Sequence, residues 1–326
     1  MIKVLNPGLS TTVQDLGRLG HYHIGLPPSG PMDTFSHSVA NLLVGNDINS
    51  ATLEMTYVGG QYEFSKSGVI AMTGADMEPR LNREFIPMWE SVTVKPGDVL
   101  SFTLLKTGAR CYLAIRGGVD VPLVMGSRST YALCGIGGFQ GRPLVAGDEI
   151  PWGNPAAQGS TSIKRKMPSQ WRPHYSTTPE VRVVVGLCSY KVTTESLNDF
   201  FSTEWVVTPE ANRVGYRHRG IHLNFVERPQ PFGAGSNPSN VVDLGYPIGS
   251  IQVPDGVEPI VLLKDAVTGG GYTTIGTVIS SDLDIIGQSR TNSKIHFRRI
   301  ELEQALEARK TYQMRLQQVR TLLEEE

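Results

Sequence analysis

This sequence predicts a mainly β protein of two β domains, with few helices and a helix at the C-terminus. Three observations predict the β architecture. Glycine and proline are abundant, 35 and 21 of 326 residues, which is above the globular average and asks for many tight turns. Strand-length segments with alternating apolar residues recur at short intervals, at 61–64, 67–72, 92–94, 99–104 and 111–115. The long helical crossovers that a parallel sheet needs are missing, so a sandwich or closed barrel suits the rhythm better.

The elements follow in order. Asp33 can cap a helix running to about residue 44, with Phe35, Val39, Leu42 and Leu43 on one face and Gly45-Asn46 as the stop. Val94-Lys95-Pro96-Gly97-Asp98 recurs loosely as Leu144-Val145-Ala146-Gly147-Asp148, and in each Gly-Asp turns the chain into the next strand. The spacing divides the chain into a domain over 1–155, a linker over 156–179, a second β domain over 180–300 and a C-terminal helix over 301–326. The linker carries Lys164-Arg165-Lys166 and little periodic hydrophobicity, and Val181-Arg182-Val183-Val184-Val185 then starts a fresh strand series. A short helix is expected over 195–201 after Thr194, with Leu197, Phe200 and Phe201 facing inward. On the C-terminal helix, Leu302, Ala305, Arg309, Tyr312, Leu316, Val319 and Leu323 share one face. That face packs on the chain's own barrel or pairs with a partner's helix.

Lys+Arg of 30 against Asp+Glu of 31 leaves a net charge of -1, which offers no electrostatic footprint for nucleic acid or an anionic membrane. The apolar run at 259–263 is far short of a membrane span, and the first residues do not read as a signal peptide. Cys111, Cys134 and Cys188 are odd in number and far apart, so free buried thiols in a reducing cytoplasm are expected.

Polar residues beside rigid turns mark the candidate chemistry. Thr11-Thr12-Val13-Gln14-Asp15-Leu16-Gly17-Arg18 runs from a strand into a Gly-rich turn and on through Gly25-Leu26-Pro27-Pro28-Ser29-Gly30-Pro31-Met32-Asp33. Gln14, Asp15 and Arg18 at a sheet end suit a small ligand bearing amide and carboxylate groups. An Asp15–Arg18 pair would equally brace a turn, as Asp33 would equally cap its helix. Arg116 leaves a strand into Gly117-Gly118, where free backbone amides can face an anion, and Ser127, Ser129 and Thr130 add hydroxyls nearby. Ordinary loop chemistry also accounts for those hydroxyls. Further on stand Asn212-Arg213-Val214-Gly215-Tyr216-Arg217, Gln252 between Ile251 and Val253, and Lys264-Asp265 before the loop Thr268-Gly269-Gly270-Gly271-Tyr272. Gln252 recognises polar substrate groups if its face lines a cavity, and decorates the surface if it meets solvent. A triple-glycine loop lets backbone approach a ligand, with Tyr272 as a lid or donor.

Other chemistries lack their motifs. There is no GxxxxGK[ST] phosphate loop and no GxSxG nucleophile elbow. Gly135-Ile136-Gly137-Gly138-Phe139-Gln140-Gly141 misses the dinucleotide spacing by one position. His21 and His23 alternate without an HExxH or a Cys/His quartet, so no metal site is expected.

The opening motif resembles the signature of the biotin-dependent carboxyltransferase family, also called allophanate hydrolase subunit 2 or KipA. The similarity continues through Leu53-Glu54, Thr73-Gly74-Ala75, Pro96-Gly97-Asp98, Arg116-Gly117-Gly118-Val119-Asp120-Val121-Pro122, Gly126-Ser127-Arg128-Ser129-Thr130 and Gly137-Gly138-Phe139-Gln140-Gly141-Arg142. It extends over Asn212 to Arg217, Ile251-Gln252-Val253-Pro254, Asp265, Gly270-Gly271-Tyr272, and a closing strand at 277–283. The resemblance implies two barrel-like β domains, the second cyclophilin-like, and the C component of a multi-component, ATP-dependent 5-oxoprolinase, inactive alone. It would open 5-oxoproline to glutamate beside a KipI-type B component and a LamB/YcsF-type A component.

On the same resemblance Asp15, Arg18, Arg116, Lys264 and Asp265 would carry catalysis, and Gln14, Asp33, Ser127, Arg213, Gln252 and Tyr272 would bind substrate. Asp15, Arg18, Arg116, Arg213 and Gln252 are expected to line one cleft. ATP would act in the complex at a site this chain does not reveal. The chain has no Ala-Met-Lys-Met-type biotin attachment motif. A carboxyltransferase component serving a separate biotin carrier, or a regulatory protein binding a KipI-type kinase inhibitor, are the alternatives. The family's usual polar residues are replaced at Ala266, Val267 and Gly269, and Val242-Asp243-Leu244-Gly245 stands where a Ser-Asp or Ser-Glu is common.

Overall fold

In the computed structural model, which describes residues 1–153 and 163–325, the chain divides into two compact units. The first comprises Met1–Leu19, Ser29–Tyr175 and Met314–Glu326, and the second Gly20–Pro28 and Ser176–Gln313. The opening motif is therefore shared: its Gly20–Pro28 segment belongs to the second unit. Part of the expected linker, residues 156–162, lies outside the described residues. Its remainder up to Tyr175 packs into the first unit, where Met167 is fully buried and hydrogen-bonds to Trp89.

The first unit holds two antiparallel sheets that share one core. One sheet runs in the order Glu149–Ile150, Ile2–Asn6, Gln61–Phe64, Val99–Ser101, Arg80–Leu81 and Glu84–Phe85. The other runs Ser10–Gln14, Thr52–Thr56, Thr107–Ile115, Gly68–Asp76 and Ser91–Val94. Ile2, Val4, Tyr62, Phe64 and Leu100 of the first sheet meet Val13, Leu53, Met55, Ile70, Met72, Leu113 and Ile115 of the second. The alternation read from the sequence is the imprint of these buried faces. In the Gly-Asp turns, Asp98 accepts from Lys95 N and Asp148 from Val145 N, both at 2.8 Å, so each carboxylate ties its own turn.

The second unit is a closed seven-stranded barrel: Glu180–Val185, Thr274–Val278, Ser250–Gln252, Ile260–Leu262, Gly215–Arg219, Glu204–Val207 and Lys294–Ile300, the last returning parallel to the first. Outside it lies a two-stranded ribbon, Asn240–Gly245 paired with Gly269–Tyr272. The triple glycine is thus an extended strand and not the expected loop. A Cβ on Gly270 would stand 3.0 Å from the Tyr246 ring, so glycine is what lets the ribbon lie against that ring.

Four α-helices complete the described residues. Helix α1, Thr34–Leu43, is capped by Asp33, whose carboxylate accepts from Ser36 N at 2.8 Å. Helix α2, Thr194–Ser202, is capped by Thr193, one residue before the expected cap. Helix α3, Leu283–Gln288, replaces the end of the expected closing strand, because the strand stops at Val278 and a 3-10 turn over Ser280–Asp282 intervenes. Helix α4 is Leu302–Glu324. Its amphipathic face is buried only distally: Val319 and Leu323 are at 0 % exposure, whereas Leu302 is at 57 %. Arg315 stacks over Phe35 at 4.4 Å and donates to the Trp171 carbonyl at 2.6 Å. Of the three thiols only Cys111 is buried; Cys134 is exposed and Cys188 half-buried, because both lie in turns and not in core strands.

Candidate functional site

The signature in the first unit forms a closed polar cluster. The strand Ser10–Gln14 delivers Gln14 and Asp15 to its end, both hidden from solvent. Asp15 Oδ1 accepts from Ser127 Oγ at 2.5 Å, Ser129 Oγ at 2.6 Å and Gly17 N at 3.0 Å, and Oδ2 accepts from Arg128 N at 2.5 Å. Burial alone would push the Asp15 carboxyl up, but these four donors outweigh it and hold the group below its ordinary value. Gln14 donates to Thr12 Oγ1 and the Thr130 carbonyl and accepts from Gly30 N. Arg18, 1 % exposed, donates to the carbonyls of Val124 and Ser129, each at 2.9 Å. Gly137 makes that approach possible, since a Cβ there would meet Arg18 Nη2 at 2.6 Å and the Ser129 carbonyl at 2.2 Å. Gln14, Asp15, Arg18 and Ser127 therefore converge, and they do so on the 124–130 loop of the chain itself.

Two further arrangements in this unit are structural. Arg116 Nη1 donates to the Val44 carbonyl at 3.1 Å and Arg165 Nη1 to the Leu42 carbonyl at 2.6 Å, so two guanidinium groups satisfy the carbonyl end of α1. Burial, and secondarily the charge of Arg165, pulls the Arg116 pKa down. Asp33 caps α1 and also accepts from Ser36 Oγ at 2.6 Å and Tyr175 OH at 3.1 Å. Beneath it, Glu54 Oε2 accepts from Met32 N and Tyr112 OH, each at 2.8 Å, and Tyr112 OH accepts from Asp33 N. Burial first, then Glu54 and Asp33, drives the Tyr112 hydroxyl well above its ordinary value. Asp33, Tyr112 and Glu54 thus form one buried network, of which Tyr112 carried no sequence signal beyond a buried strand.

The second unit gathers the remaining candidates. Arg213 and Asp265 form a bidentate ion pair, Nε to Oδ2 at 2.7 Å and Nη2 to Oδ1 at 3.1 Å, just after the strand Ile260–Leu262. Lys264 is half-buried in the same turn. Gln252 is 6 % exposed, so its face is an interior one, and its amide lies beside the Tyr246 hydroxyl. That hydroxyl accepts from Tyr272 N at 2.7 Å and donates to the Tyr272 carbonyl at 2.8 Å. Burial raises the Tyr246 pKa, offset in part by Tyr272 and Gln252, so the phenol stays protonated and bridging. Tyr22, from the segment shared with the opening motif, donates to the Tyr246 carbonyl at 3.3 Å. Gln252 and the backbone of Tyr272 are thereby brought together, with the Tyr272 ring 43 % exposed. Tyr246, the post between them, was missed because an isolated tyrosine before a proline carries no pattern.

Of the expected cleft residues, Asp15, Arg18 and Arg116 belong to the first unit and Arg213 and Gln252 to the second. Among the described residues no group of three His, Cys, Asp or Glu side chains is arranged to hold a metal ion.

Comparison with known proteins gives a consistent result. The family model for the carboxyltransferase domain, subdomains A and B, matches residues 24–299. The C subunit of the Escherichia coli 5-oxoprolinase is 35 % identical over 319 residues, covering 98 % of this chain and 97 % of that protein. The urea amidolyase of Saccharomyces cerevisiae is 36 % identical over 304 residues, covering 91 % of this chain but 16 % of its own. This chain therefore spans about a sixth of that relative. Among solved structures, the urea amidolyase of K. lactis superposes with a TM-score of 0.91 at 34 % identity, covering 98 % of this chain and 20 % of the larger one.

Proposed function

The chain belongs to the carboxyltransferase family of subdomains A and B, and on that premise we propose that it is the C component of an ATP-dependent 5-oxoprolinase, opening 5-oxoproline to glutamate. Its working partners in this reading are a KipI-type protein and a LamB/YcsF-type protein. One observation carries it: the similarity to the Escherichia coli 5-oxoprolinase component runs along nearly the full length of both chains. The lactam carbonyl is unreactive, so the reaction needs fixed donors where negative charge develops and a hold on the ring amide. Gln252, beside Tyr246, and Lys264, in the turn that carries Asp265, have the chemistry for those tasks. Asp15 and Arg18 are read as positioning residues, because their contacts fix the 124–130 loop. The glycine-rich strand Gly269–Tyr272 is extended and does not wrap into a phosphate cradle; ATP acts in the complex, at a site not assigned to any one component.

A second reading, a carboxyltransferase component serving a separate biotin carrier, is favoured by the close superposition on part of the K. lactis urea amidolyase. Coexpression with the two partner proteins, followed by assay of ATP-dependent glutamate release, tests the first against the second. The expected result is activity of the complex and silence of the single chain. A complex inert towards 5-oxoproline that accepts a carboxyl group from carboxybiotin would establish the second reading instead.

A further inference from the structure

Lys191 closes a 3-10 turn, Ser189–Lys191, at the edge of the second unit's barrel, and is 3 % exposed. Its ammonium donates to the carbonyl of Asn240, the first residue of the ribbon, and among the described residues that is its one acceptor. A carbonyl meets one of the three ammonium protons and leaves the charge without a counterion. Buried charges in folded chains are paired, because desolvating an ion costs several kcal/mol (on the order of a full domain's margin of stability for two such groups).

A second cation lies on the adjoining segment. Residues 189–192 and 225–228 run side by side, joined by an antiparallel bridge between Val192 and Phe225 and by Val226 N donating to the Lys191 carbonyl at 2.8 Å. Arg228 stacks on the Tyr190 ring at 4.9 Å, which orients its guanidinium, yet its Nη2 is buried with no hydrogen-bond partner among the described residues. The carboxylates nearest in sequence to this corner, Glu227 and Asp243, are exposed. Two oriented cations with buried, unmatched protons thus stand on neighbouring segments.

We propose that Lys191 and Arg228 form an anion-binding site of the second unit, taking the anionic oxygens of a small molecule, either a carboxylate or a phosphoryl group. The corner abuts the Gln252–Tyr246–Tyr272 group, since Asn240 pairs directly with Tyr272 in the ribbon. If the carboxylate arm holds, and this clause rests on the 5-oxoprolinase reading, Lys191 grips the acid of the cyclic amide while Gln252 meets its ring amide. The phosphoryl arm is independent of that reading.

The test is thermal stability of the full-length chain titrated with L-5-oxoproline, with uncharged 2-pyrrolidinone and with inorganic phosphate. The wild type should gain melting temperature saturably with at least one of the two anions and not with 2-pyrrolidinone. A response to 5-oxoproline identifies the carboxylate, and a response to phosphate identifies the phosphoryl group. Lys191→Met should abolish the response while leaving the unliganded melting temperature unchanged or higher, because it removes an uncompensated charge. Arg228→Gln should weaken the anion by about tenfold or more, the loss of one charge-assisted contact, and Lys191→Arg should keep it. A wild type that ignores both anions overturns the proposal, as does a Lys191→Met chain that still responds. A lower unliganded melting temperature in Lys191→Met would make the lysine a structural post and would overturn it equally. Because no turnover is measured, failure here is distinct from failure of the glutamate-release assay.

Discussion

The carboxylate of Asp15 and the ammonium of Lys191 are almost equally hidden, at 2 % and 3 % exposure, and the chain treats them in opposite ways. Four donors from Gly17, Ser127, Arg128 and Ser129 converge on Asp15, three on Oδ1 and one on Oδ2. Among the described residues Lys191 has a single backbone carbonyl. A saturated ion is a tie between segments of chain: it has nothing left to offer a ligand, and its removal strands several donors at once. An unsaturated one costs stability in the empty protein and recovers it when a ligand supplies the missing charge. The density of polar residues in the opening motif is therefore a sign of loop anchoring, and the chemically open positions lie in the second unit, among residues with plainer sequence context.

The largest effect that can break this contrast is at Asp15. Asp15→Ala should destabilise the first unit by about 3 to 5 kcal/mol, from a buried carboxylate removed and its donors left unpaired. Denaturant unfolding measures this directly. A variant with wild-type stability and no activity in the complex would make Asp15 a reacting group and would end the scaffold reading.

Acidification separates the two regions next. His218 lies wholly buried against Phe297 in the barrel, and burial lowers its pKa from 6.5 to about 4. The folded chain therefore keeps it neutral while the unfolded chain takes up a proton below 6.5. Stability falls as the pH drops from 6.5 towards 4 and then levels, by at most about 3 kcal/mol for this group. Asp15 has the same sense in a lower window: its folded pKa is depressed, so its contribution is intact above 3.8 and is lost only as the pH falls through its lower folded value. His218→Asn should flatten the loss between 6.5 and 4. An unchanged pH profile in that variant would place the acid-sensitive group elsewhere.

The smallest effect sharpens the picture around Gln252. Tyr246→Phe removes the hydroxyl that bonds both backbone groups of Tyr272 beside Gln252, and should cost about 1 to 2 kcal/mol. Hydrogen exchange should rise selectively in Asn240–Gly245 and Gly269–Tyr272. Uniform exchange across the barrel would show that the ribbon does not depend on this post.

Much of the fold was legible because its cause is local. Alternation at 61–64 and 111–115 reflects faces buried on a shared core, and Asp33 announces α1 through its own capping bond. Helix α3 was not legible, because Leu283–Gln288 is a single short turn whose apolar residues read equally well as a strand. Gly269-Gly270-Gly271 reads as a loop until the Tyr246 ring, against which Gly270 lies, is in place. At the site, Arg213 and Asp265 were recognisable as polar residues at strand ends, but that they neutralise each other is a fact of the tertiary fold. Lys191 stayed invisible for the converse reason: a lysine before Val192 and Thr193 looks like surface until both of its neighbouring segments are folded over it.

The contrast between the saturated and the unsaturated ion is tested most directly by one matrix of melting temperatures: wild type, Asp15→Ala and Lys191→Met, each with and without L-5-oxoproline or phosphate. Asp15→Ala should start roughly 10 °C lower and keep the anion-dependent rise. Lys191→Met should start at or above the wild-type value and show no rise. If Asp15→Ala loses the anion response at unchanged baseline, or Lys191→Met falls in stability and keeps the response, the assignment of scaffold and binding roles is reversed.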